Sequence, residues 1–159
     1  MLSYQKKQAS LATYRDTDVG TANRLKLLIM LYEGAIRFCR QAEQAMHDGN
    51  VAIKGEMIGK ALAIINELRS TLDHSHAPEV SNNLENLYEF IHERLLKANV
   101  NNDLAPLMDA VRIIKVLHSA WVDVSKKPLA ELTVTHPEQA QIIKKKNVTN
   151  ENSYVRISV

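Results

Sequence analysis

Leu28-Ile29-Met30-Leu31-Tyr32-Glu33-Gly34-Ala35-Ile36 lies inside a run whose apolar residues keep a three-and-four rhythm. Leu25, Leu28, Ile29, Tyr32, Ala35, Ile36, Cys39, Ala42 and Met46 fall along one side of a helix of 3.6 residues per turn, the pattern of an element that buries one stripe. Thr21 or Asn23 is placed to cap the start by accepting a backbone hydrogen bond. Gly49-Asn50 suits the left-handed turn that closes a helix. The stretch therefore reads as a long amphipathic helix.

Three more stripes repeat it. Ile53, Met57, Ile58, Ala61, Leu62, Ile65, Leu68 and Leu72 form the second, which stops at His74-Ser75-His76-Ala77-Pro78, where the proline keeps Ala77 out of helical geometry. The third runs Val80, Leu84, Leu87, Tyr88, Ile91, Leu95 and Ala98 and breaks at Asn99-Val100-Asn101-Asn102. The fourth runs Leu104, Leu107, Met108, Val111, Ile114, Leu117, Trp121 and Val124, with Asp103 as its cap and Ser125-Lys126-Lys127-Pro128 as its close. Short connections force neighbouring helices to run antiparallel. The expected fold is all-α: an antiparallel up-and-down four-helix bundle over residues 21–125.

Residues 1–20 lack a sustained stripe and read as a flexible N-terminal arm, and residues 126–159 as a C-terminal extension. In the extension, Thr135-His136-Pro137-Glu138 has the spacing of a capping box with proline in the first turn, and Lys144-Lys145-Lys146 would sit where cations favour a helix terminus. A short fifth helix over about 136–146 fits that pattern. The ending, Ser153 to Val159, alternates like a strand without an evident pairing partner.

Composition narrows the function. The chain has 159 residues, 45% hydrophobic and 24% charged, which suits one globular domain with a real core. Through Val124 there are 14 Lys/Arg against 15 Asp/Glu, and from Ser125 onward 6 against 3. The small positive excess is thus confined to the tail, and with aromatic content of only 5% no nucleic-acid partner is expected. No apolar run approaches the roughly 20 residues a membrane span requires, so no membrane insertion is expected. Met1-Leu2-Ser3-Tyr4-Gln5-Lys6-Lys7-Gln8 carries charge without a following apolar stretch, unlike a secretory signal, and the expected location is the cytoplasm.

Catalytic chemistry finds little support. The single cysteine, Cys39, excludes an intramolecular disulfide and falls within the first apolar stripe, where it acts as a small hydrophobe. His74 and His76 share a loop, and His92-Glu93 lacks the second histidine of a zinc-protease helix. The Glu-x-x-His motif that di-iron bundles repeat is read as absent. There is no glycine-rich phosphate loop and no nucleophile elbow. No enzymatic activity, metal or cofactor is expected. The remaining informative property is the breadth of the second stripe, where Ile64 stands beside Ile65. Such a helix is either packed on most sides or offers an outward groove to an amphipathic partner.

Several blocks share an order and spacing. They are Leu11-Ala12-Thr13-Tyr14, Val19-Gly20-Thr21-Ala22, Met30-Leu31-Tyr32-Glu33-Gly34-Ala35, Gly59-Lys60-Ala61-Leu62-Ala63-Ile64-Ile65, Asn83 through Asn99, Asn102-Asp103 and Trp121. Over about residues 10–124 the chain resembles the flagellar export chaperone family, FliS. The resemblance implies a four-helix bundle that binds the C-terminal segment of unpolymerised flagellin, with 1:1 stoichiometry, blocking premature assembly and keeping the cargo competent for flagellar type III secretion. Folding of a disordered client segment on binding costs ordering entropy, which a large wrapped interface offsets.

The resemblance also implies an arm, anchored here by Leu11 and Tyr14, that lies over an apolar surface and yields it to flagellin. Ile58, Ile64 and Ile65 on the second helix, and Tyr88, Ile91 and Leu95 on the third, complete the expected flagellin-binding set. The export apparatus and regulatory proteins of the flagellar system are further partners the resemblance admits, and a helical adaptor for such a partner is the alternative reading. An exposed groove could also pair two free copies as a homodimer. Two features depart from the family pattern: Arg24 stands where proline is usual, and the segment after Pro128 exceeds the usual ending.

Overall fold

The computed structural model describes residues 2–128, with side chains from Gly20 onward. Four α-helices follow one another: α1 (Leu2–His47), α2 (Val51–Ser70), α3 (Pro78–Asn101) and α4 (Leu104–Ser125). α1 packs against α2 and α4, and α3 packs against the same two. With connections as short as residues 48–50 and 102–103, this ring is an antiparallel up-and-down bundle. The fifth-helix expectation over 136–146 and the strand-like ending fall outside the described residues.

The helix boundaries follow local chemistry. Asn50 caps α2 by accepting from the Ile53 N–H at 3.1 Å, and Gly49 takes a φ of 69° in the preceding turn. Pro78 opens α3 at the position where its missing N–H costs nothing, with Ala77 at φ −144° before it. Asn102 ends α3 in the left-handed conformation, φ 51°, and its N–H reaches back to the Ala98 carbonyl. Asp103 then caps α4 through the Ala105 N–H at 3.0 Å.

The start of the first helix is corrected. Neither Thr21 nor Asn23 begins it; the backbone is helical from Leu2, so residues 2–20 continue α1 rather than precede it. A stripe reports burial, and a helix can form without one when propensity suffices. Gln5, Lys6, Lys7, Gln8, Ala9, Leu11 and Ala12 are all strong helix formers, and no proline interrupts the segment. At 1.5 Å per residue α1 is about 69 Å long, roughly twice each of the others.

The core is assembled from the four stripes. Tyr32, Ala35, Cys39 and Ala42 of α1 meet Ile58, Ala61, Ile65 and Leu68 of α2, Tyr88, Ile91, Leu95 and Ala98 of α3, and Leu107, Ala110, Ile114 and Leu117 of α4. Each fully buried Ile or Leu contributes about 1.5–3 kcal/mol of hydrophobic stabilisation, far more than the exposed ion pairs such as Lys60–Glu56. Within this apolar interior the phenol groups of Tyr32 and Tyr88 hydrogen-bond to each other. Trp121 Nε1 donates to Tyr32 at 3.2 Å, so α1, α3 and α4 are tied at one level of the bundle.

Candidate partner-binding groove

The seam between α1 and α2 carries an apolar surface. Residues 31, 34 and 38 recur on one face of α1, and residues 53, 57, 60 and 64 on one face of α2. Their register is fixed by close approach: a Cβ at Gly34 would lie 3.2 Å from Ile64 Cδ1, and Lys60 Nζ sits 5.6 Å from the centre of the Phe38 ring. Glycine at 34 is what lets Ile64 lie against the α1 backbone. Toward the other end the seam widens into a pocket of about 380 Å³, lined by Gln41, Gln44, Ala45, Asp48, Asn50, Ile53 and Met57. Leu31, Phe38, Met57 and Ile64 are half-buried, whereas Ile53 and Leu27, one turn before Leu31, are exposed.

Of the expected binding residues, Ile64 alone among the described ones lines this seam. Ile58, Ile65, Tyr88, Ile91 and Leu95 are at most 1% exposed and belong to the core. They hold the helices that form the surface and present nothing to a partner in this conformation. The side chains of Leu11 and Tyr14 lie outside the described residues. Phe38, Met57 and Gly34 also line the seam and are not in the expected set. The spacing of residues 53, 57, 60 and 64 was the available signal, hidden because Met57 and its neighbours were assigned to a single buried stripe.

Burial governs the titratable groups near the core. Desolvation raises the Tyr32 and Tyr88 phenols above their ordinary value; the hydrogen bonds from Tyr88 and Trp121 only partly offset this at Tyr32. Desolvation also pushes the Cys39 thiol up to about 12, which removes the thiolate a nucleophile needs. In the α2–α3 connection, hydrogen bonds from the Ser75 hydroxyl and N–H, and then from His76, hold the Asp73 carboxyl down at about 2. The loop histidines are engaged there too, His74 with Asn82 at 3.1 Å and His76 with Asp73 at 2.7 Å. Glu89-Phe90-Ile91-His92 supplies one Glu-x-x-His, but among the described residues no three His, Cys, Asp or Glu side chains gather as metal ligands would. Among the same residues no helix is long and apolar enough to cross a membrane.

The sequence pattern described as Flagellar protein FliS matches residues 6–128. The chain belongs to the FliS family. That family is one of chaperones, not of enzymes. The flagellar secretion chaperone FliS of Vibrio cholerae is 38% identical over 118 residues, covering 72% of this chain and 87% of that protein. FliSB of Pseudomonas aeruginosa, also a flagellar secretion chaperone, is 34% identical, with 69% and 87% covered. FliS of Salmonella typhimurium is 33% identical, with 70% and 84% covered. The matched region contains the whole bundle and much of the helical segment before it.

Proposed function

We propose that this FliS-family chain is a cytosolic export chaperone that holds the C-terminal segment of unpolymerised flagellin, one copy to one, and delivers it to flagellar secretion. The observation that carries the reading is the α1–α2 seam, where an apolar floor of Phe38, Met57 and Ile64 is flanked by exposed Leu27 and Ile53. Exposed side chains of this kind, in helical register on two antiparallel helices, fit the apolar face of an amphipathic helix. The relatives' shared description as flagellar secretion chaperones supports the same choice of client. In this reading the first turns of α1 leave the continuous helix and fold back when no client is bound, so that Leu11 and Tyr14 anchor the N-terminal segment over part of the surface and give it up when flagellin arrives.

Calorimetric titration with flagellin of the same organism, intact and C-terminally truncated, tests the proposal. Binding near 1:1 with a strongly negative heat-capacity change, lost on truncation, is the expected result, because folding of the client segment buries apolar area. Intact flagellin that gives no heat and no complex refutes it.

A further inference from the structure

The seam between α1 and α4 differs from the α1–α2 groove in kind. It encloses a pocket of about 300 Å³ lined by Glu33, Ile36, Arg37, Arg40, Lys115 and His118. Arg37 and Arg40 are three residues apart on one helix, and Lys115 and His118 three apart on its neighbour, so cationic and donor groups reach the same opening from both sides. Ile36, nearly buried, lies beneath them. At one end His118 Nε2 sits 3.3 Å from Glu33 Oε1. Toward the other, Arg40 and Lys115 are exposed, and among the described residues neither has an ion-pair partner. In the α2–α3 and α3–α4 seams, by contrast, the arginines Arg69 and Arg94 are paired with Glu85 and Asp109.

We propose that this pocket is a docking point for an acidic polypeptide segment, one of whose carboxylate side chains is held between Arg40 and Lys115. The charge pattern selects that class of ligand. Glu33 and Arg40 are seven residues apart, about 10 Å along the helix axis, so the trough is acidic at one end and basic at the other. A polyphosphate or nucleic acid would meet Glu33 as a repulsive group, and the bundle, with 14 basic against 15 acidic residues up to Val124, offers no broad positive field to compensate. A polypeptide supplies both complements: a carboxylate for the guanidinium and ammonium groups, and backbone N–H donors for Glu33. Ile36 provides apolar contact for the methylenes of a glutamate. The site is separate from the α1–α2 groove and stands whichever protein fills that groove.

The test is a titration of the ¹⁵N-labelled full chain followed by NMR, with three probes at matched ionic strength. They are a blocked twelve-residue peptide with glutamate at every fourth position, the same peptide with glutamine, and inorganic phosphate. The glutamate peptide is expected to shift the resonances of Arg40, Lys115 and His118 saturably, and the glutamine peptide to leave them in place. Phosphate should bind at least about tenfold more weakly. The variant R40E/K115E should abolish the shifts while keeping helical circular dichroism; should it fail to fold, R40Q and K115Q, each expected to weaken the peptide several-fold, replace it. Unmoved resonances with the glutamate peptide, equal saturation by phosphate, or unchanged binding in folded variants would each overturn the proposal.

Discussion

Trp121 Nε1 donates to the phenol oxygen of Tyr32 at 3.2 Å, and that oxygen also shares a hydrogen bond with Tyr88. One atom of α1 thus satisfies polar groups on two other helices inside an otherwise apolar core. Removing it leaves both partners unpaired, and an unsatisfied buried donor costs more than the bond itself contributes. Tyr32→Phe is therefore expected to destabilise the fold by about 2–4 kcal/mol. Tyr88→Phe, which orphans one neighbour at most, should cost about 1–2 kcal/mol. Combining Tyr32→Phe with Tyr88→Phe should cost less than the sum of the singles. Urea unfolding of the three variants measures this, and strict additivity would show that the hydroxyls act independently.

The same network gives a pH limit. Burial raises both phenols, so the folded state holds them neutral where an unfolded tyrosine, with pKa about 10, would ionise. The contribution is fully present below about pH 10 and is lost as pH rises from there through the higher folded values. Absorbance titration at 295 nm should show Tyr32 and Tyr88 silent until a cooperative loss of helix, with the amplitude of that late step halved in Tyr88→Phe. Smooth ionisation of both near pH 10 with helix retained would contradict the burial argument.

Lys54 makes a second tie. It is 3% exposed, and its Nζ donates to the Asn99 carbonyl at 3.0 Å and to Asn102 Oδ1 at 3.2 Å. Those acceptors sit at the C-terminus of α3, where carbonyls lack helical partners and a cation is favoured. Lys54→Met keeps the aliphatic stem and removes only the donors, with an expected cost of about 1–3 kcal/mol. Lys54→Ala removes the stem as well and should cost more. Thermal unfolding of both variants separates the two contributions, and equal midpoints for Met and wild type would assign Lys54 to packing alone.

These two ties mark where the sequence was readable and where it was not. Gly49, Pro78, Asn102 and Asp103 announce their turns because capping chemistry is local, and the four stripes emerge from periodicity alone. Lys54 and Ile53 show the limit. Period places Ile53 inside, but α2 turns Lys54 inward and leaves Ile53 in the α1–α2 pocket. The same ambiguity bears on the candidate site, of whose described residues only Ile64 lines the seam while the rest are buried. Ile64 and Ile65 are adjacent and chemically identical, and nothing along one chain says which faces the core and which the seam; the position of Gly34 on another helix decides it. The helix over residues 2–20 is not legible from periodicity, because its sequence carries helix propensity but no apolar stripe.

Gly59 lies in the middle of α2, exposed, and a Cβ there would meet nothing within 4 Å. Glycine loses more backbone entropy in a helix than alanine does, with no packing benefit here to offset it. Gly59→Ala is expected to stabilise the protein by about 0.8–1 kcal/mol. Gly34→Ala gains the same propensity but must displace Ile64 Cδ1 from 3.2 Å, so its net gain should be smaller. Urea midpoints compare them; a larger gain at Gly34 than at Gly59 would mean that Ile64 moves freely and that the seam is loosely packed.

Ile64 and Ile65 also separate fold from function. Ile65 is fully buried, so Ile65→Asp places an unpaired carboxylate in the core and should abolish cooperative folding. Ile64→Asp puts the same group in a half-buried seam beside Lys60, where water and an ammonium can reach it. It should retain the helical bundle, at a cost of about 1–2 kcal/mol. If the α1–α2 seam holds the apolar face of flagellin, Ile64→Asp should also weaken that complex by about 2 kcal/mol or more, roughly thirtyfold in Kd. Tyr14→Ala should weaken it as well without altering the fold. Isothermal titration with wild-type, Ile64→Asp and Tyr14→Ala proteins makes the comparison. Wild-type affinity in a folded Ile64→Asp variant would move the client to another face of the bundle.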